Sequence, residues 1–106
     1  METTSEMLDK RNKFMRVVSH ITGVPVDDIM SESRVRNVAT ARMMVMWALH
    51  TLCGYTTTAI GVMLRRHYSS VIYAIHMING GFRLSKEEKE LKQILKRFHR
   101  GEEVLP

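Results

Sequence analysis

Between Ser33 and Lys86 the chain carries no Asp or Glu, yet the same stretch holds Arg34, Arg36, Arg42, Arg65, Arg66 and Arg83. Arginines without neighbouring carboxylates form a surface that attracts a polyphosphate backbone. Within the stretch, TTTAIGVMLRRHYSSVIYAIHMI reads as two short helices joined by an arginine-bearing turn. That is the usual device for laying one helix in the major groove of duplex DNA. Other chemistries find less support. His50 and Cys53 share one helical face and would make half of a zinc site, but no second pair stands at ligand spacing, so no metal is expected. The adjacent Asp27 and Asp28 are expected to cap a short helix. A metal-dependent nuclease needs carboxylates beside the phosphate, which this basic stretch does not offer. No GxxxxGK[ST] loop is present, so ATP binding is not expected. The expectation is a protein that binds, not an enzyme, with no cofactor.

The elements that must position these residues follow from composition and periodicity. A chain of 106 residues suits one domain, and an apolar fraction of 44% with 25% charged residues allows a modest core. Net charge is +5, which favours a polyanion as partner. A lone Cys53 cannot close an intramolecular disulfide, which points to a reducing, cytoplasmic setting. The opening METTSEMLDKRNK is polar, so no signal peptide is expected, and no apolar run approaches a membrane span.

The first helix is predicted from Ser5 to about Thr22, with Leu8, Met15, Val18 and Ile21 inward and Gly23 as its stop. VPVDDIM reads as a single turn burying Val26, Ile29 and Met30, and SESRVR as a basic loop. A longer helix runs from about Asn37 to Cys53 with Val38, Ala41, Val45, Ala48, Leu49 and Leu52 inward and Trp47 as core anchor. Thr56 or Thr57 caps the next helix, where Gly61 marks a close packing contact. After RRHY, a helix from about Ser69 to Asn79 buries Val71, Ala74, Ile75 and Ile78 and turns Ser69, Ser70, Tyr73, His76 and Met77 outward. The capping box Ser85-Lys-Glu-Glu88 opens a last helix with the stripe Leu91, Ile94, Leu95 and Phe98. The predicted fold is all-α, a single domain of five or six helices over 1–106 that contains a helix-turn-helix.

These segments, taken in order, resemble the C-terminal DNA-binding domain of the bacterial replication initiator DnaA, a helical relative of the Trp repressor. VSHITGVPVDDIMSESR is similar to that domain's opening helix, short turn and basic loop. VATARMMVMWAL is similar to its long central helix, and IGVMLRRHYSSVIYAIHMI to its signature. The resemblance implies a family-like core over 16–82 and an additional C-terminal helix over about 85–100. It implies Arg34 entering the minor groove, Arg36 and Arg42 on backbone phosphates, and Thr56, Thr57 and Thr58 where a helix N-terminus meets a phosphate. Arg65 and Arg66 would lie in the turn on phosphates. His67, Tyr68, Ser69 and Ser70 stand at the head of the recognition helix, with Tyr73 beyond.

Where the family has Gly-Gly-Arg-Asp-His, this chain has Arg65, Arg66, His67 and Tyr68, one residue shorter, and its two serines lack the methyl that threonine sets against thymine. The expected function is sequence-specific binding of double-stranded DNA by a nucleoid-associated reader without the initiator's ATPase. The alternative is a protein-interaction modulator of replication initiation or transcription. It would work through the C-terminal helix, which pairs with a second copy or with another helix.

Overall fold

The structure is a computed structural model and describes residues 3–81 and 83–106. The expected far end of the family-like core, residue 82, lies outside them. Among the described residues there are six helices and no strand: α1 Ser5–Thr22, α2 Val26–Ile29, α3 Arg36–Thr51, α4 Thr57–Leu64, α5 Tyr68–Gly80 and α6 Lys86–His99. The all-α prediction holds.

The Thr4 hydroxyl accepts the Met7 amide at 3.2 Å and starts α1. Gly23, at φ 77°, ends it in the left-handed conformation that disfavours a side chain. α3 is the strut of the fold: every side chain from Met44 to Leu49 is buried, which only a helix surrounded by others allows. α1, α2, α4, α5 and α6 all pack against it. The core anchor Trp47 is buried as expected, and its indole N–H donates to Asn79 Oδ1 on α5 at 2.9 Å. Lys92 of α6 lies 5.3 Å from the Trp47 ring centroid and donates to the Ile78 carbonyl at 2.9 Å. The C-terminal end of α5 is therefore pinned by both α3 and α6.

Several expectations need correction. α1 buries Phe14 and Val17 beside Met15 and Val18, while Ile21 is exposed at the rim of a groove between α1, α3 and α6. Val26 is exposed because four residues of helix offer the core one inward position, taken by Ile29. Asp27 and Asp28 lie in the first turn of α2 and make no side-chain cap. His50, considered as a metal ligand, uses Nδ1 with the Tyr55 carbonyl at 2.9 Å to close the end of α3. The α6 stripe, expected to be available for pairing, faces inward. Leu91 and Leu95 are buried and Phe98 meets Phe14 edge-on at 5.8 Å, so a second helix finds that stripe already covered.

Candidate nucleic-acid interface

α4, the turn and α5 form the two-helix unit. Thr56 caps α4, its hydroxyl accepting the Ala59 amide at 3.1 Å, with Thr57 half-buried and Thr58 exposed beside it. Gly61 then lets the chain fold back at very short range. Its carbonyl accepts the Arg66 amide at 2.8 Å, and a Cβ on Gly61 would stand 2.6 Å from the Arg66 carbonyl oxygen. The reversal is completed by Arg65, the one non-glycine residue with positive φ (56°) among those described. A side chain in that region costs about 1–2 kcal/mol.

α5 starts one residue earlier than predicted, at Tyr68, because His67 supplies the cap. His67 Nδ1 accepts the Ser69 amide at 3.2 Å and lies 2.8 Å from the Ser69 hydroxyl. Ser69 is thus held by the cap and does not form it. A serine hydroxyl beside an imidazole also begins many acyl-transfer sites. Here the ring makes no hydrogen bond to an orienting carboxylate among the described residues, and its nitrogen is already the helix cap. Tyr68 lies against the imidazole with ring centroids 4.4 Å apart.

Val71, Ala74 and Ile78 hold α5 to the core, leaving Tyr68, Ser69, Ser70, Ile72, Tyr73 and His76 exposed. Ile72 was missed in the sequence reading. Its signal was its place four residues after Tyr68 and four before His76, which sets all three on one strip of the helix. An exposed isoleucine among polar groups is informative in a way that an exposed serine is not.

The arginines of the acid-free stretch divide into two groups. Arg34 and Arg65 are exposed, and their side chains make no hydrogen bond or ion pair among the described residues. The others are committed to the protein. Arg42, expected on the phosphate-facing surface, is 6% exposed. Its guanidinium donates to the carbonyls of Ile29 (2.8 Å), Ser33 (3.1 Å), Asp28 (3.3 Å) and Ser31 (2.6 Å). Burial, then the charge of Arg66, pushes its pKa down. Arg66 reaches from the turn to the same Ser31 carbonyl, so it ties the Arg34 loop to the two-helix unit.

Arg36 forms a two-point ion pair with Glu88 of α6, at 2.9 and 3.2 Å, and donates to the Arg83 carbonyl at 3.0 Å. The acid-free stretch of sequence is therefore not acid-free in space. Arg11, outside the predicted set, donates to the Met63 carbonyl at 2.8 Å and satisfies the end of α4. Burial, then Arg65, lowers its pKa. Cation spacing alone could not reveal it.

The Glu88 carboxyl is held below its ordinary value, first by the hydrogen bond from Arg36, with burial opposing and the Ser85 amide assisting. A depressed carboxyl stabilises the fold above the unfolded value of about 4.3 and ceases to do so as pH falls through the lower folded value. Acid titration below that range should loosen α6. Trp47, the only tryptophan and packed beneath Lys92, should report this as a change in emission before the other helices melt. Emission that changes only together with global helix loss would contradict this.

Arg34, Arg36, Tyr73, Met77 and Arg83 line one groove between the start of α3 and the outer side of α5. The basic loop and the exposed side of α5 thus share a face. No helix among the described residues is long and apolar enough to cross a membrane. Residues 12–78 match the profile of the bacterial DnaA protein helix-turn-helix. No curated protein matches the chain.

Proposed function

The chain belongs to the bacterial DnaA helix-turn-helix family, and from that premise we propose that it binds double-stranded DNA sequence-specifically. α5 lies in the major groove and the loop carrying Arg34 covers the adjacent minor groove. The observation that carries this reading is the groove that Arg34 shares with Tyr73 of α5. The Arg34 and Arg65 guanidinium groups make no hydrogen bond or ion pair among the described residues, and Tyr68, Ile72 and Tyr73 are exposed on α5. Free guanidinium groups fix register on phosphates, and the α5 side chains meet base edges. Within these 106 residues nothing supplies an ATP-driven step, so the chain acts as a reader associated with the nucleoid, without catalysis of its own.

Fluorescence anisotropy with an initiator-box duplex, a scrambled duplex and sites selected from random DNA tests the reading. Arg65→Ala should weaken every duplex several-fold and flatten the log–log salt dependence by about 0.9, one phosphate contact. Tyr68→Ala should instead reorder the sequences, by about 1–3 kcal/mol at the affected base pair. Equal loss on all sequences from Tyr68→Ala would remove the base-reading role of α5. Unchanged binding in both variants would remove the interface.

A further inference from the structure

α6 lies beyond the residues matched to the family and reaches into the proposed interface with one side chain. Glu88 places both carboxylate oxygens on the Arg36 guanidinium, and Arg36 lines the groove shared by Arg34 and Tyr73. The carboxylate is preorganised, because the Ser85 amide donates to Glu88 Oε1 at 2.9 Å within the capping box. The glutamate side chain is 17% exposed, while its arginine partner is 64% exposed. A two-point carboxylate on a guanidinium fork uses the same donors that a phosphate would use.

We infer that α6 carries an internal competitor for DNA: Glu88 occupies Arg36 in the free protein, and a backbone phosphate must displace it. The inference rests on the DNA-binding reading above. Its physical consequence is specific. An arginine already neutralised by a fixed carboxylate releases no full counterion when DNA arrives, so the salt dependence is shallower than the number of arginines on that face suggests. Glu88 tunes affinity through Arg36 without touching DNA, and is in that sense a positioning residue.

Glu88→Gln tests this: glutamine also serves as the third residue of a capping box, so α6 keeps its cap while the ion pair with Arg36 is lost. Binding to a short duplex should tighten roughly three- to tenfold at low salt, and the log–log salt slope should steepen by about 0.9. Glu87→Gln removes the same formal charge one residue away and should change both quantities much less. The gain should vanish in the Arg36→Ala, Glu88→Gln double variant, as coupling through Arg36 requires. Circular dichroism of each variant keeps a folding defect separate from a binding effect. Wild-type binding that Glu88→Gln leaves unchanged overturns the inference alone, as does an equal gain from Glu87→Gln or a gain that survives loss of Arg36. Absence of duplex binding by the wild type and by every variant overturns the DNA-binding reading and this inference with it.

Discussion

Replacing Arg42 with alanine is expected to lower stability by about 3 kcal/mol and to weaken DNA binding as a secondary effect. The buried guanidinium offers five donor positions on a planar fork, and its four hydrogen bonds all end on carbonyls between Asp28 and Ser33. No carboxylate neutralises it in this set, so the backbone dipoles of α2 and the following loop do that work. Alanine would leave these carbonyls to find water in a part-buried site, and the loop carrying Arg34 would lose its shape. For a domain of this size the loss corresponds to a fall in Tm of roughly 10–20 °C. Arg42→Lys separates this account from a phosphate contact. One ammonium cannot span the four carbonyls, so lysine should recover little stability. A lysine variant that melts and binds like the wild type would show that a point charge is enough and that the fork is incidental.

Gly61→Ala should destabilise by about 1 kcal/mol net and, on the reading proposed above, abolish sequence discrimination. Ordinarily this substitution in a helix gains about 1 kcal/mol. Here the new Cβ would sit 2.6 Å from the Arg66 carbonyl oxygen and 3.4 Å from the Tyr68 amide nitrogen, both backbone atoms with little freedom to withdraw. The turn must open, and overpacking of this kind costs about 1–3 kcal/mol, from which the propensity gain is subtracted. Opening it moves Arg65 and the first turn of α5 together, so binding suffers even where folding survives. Chemical denaturation with anisotropy on the same sample checks both parts. An alanine variant about 1 kcal/mol more stable than the parent would show that the turn relaxes freely.

The helices were legible in the sequence because their signals are local. Thr56, the Ser85–Glu88 box, Gly23 and the three-four spacing of α3 each act within a few residues, and the structure places them as read. The closeness implied by Gly61 was also legible, since a helix tolerates glycine poorly unless something presses on it. What the sequence hid was the destination of long side chains. Arg42, Arg36 and Arg66 look alike as cations in a row, yet one is buried on carbonyls, one is paired with an acid 52 residues away, and one crosses to another loop. A guanidinium reaches its partner through the tertiary fold, and spacing along the chain does not encode that partner. His67 was hidden for a related reason. An imidazole caps a helix less often than serine or threonine, so the sequence points to a helix start at the neighbouring Ser69.

Arg42 and Arg66 converge on a single oxygen, the Ser31 carbonyl, one from the central helix and one from the turn. Two donors meeting there make that atom a datum point, and the distance from the tip of the loop to the head of α5 becomes a fixed length. On the reading proposed above, a domain built this way would measure as well as recognise. Sites drawn from random DNA should share one invariant offset between the A·T-rich step under Arg34 and the base pairs under Tyr68, with no members in which that interval grows or shrinks by a base pair.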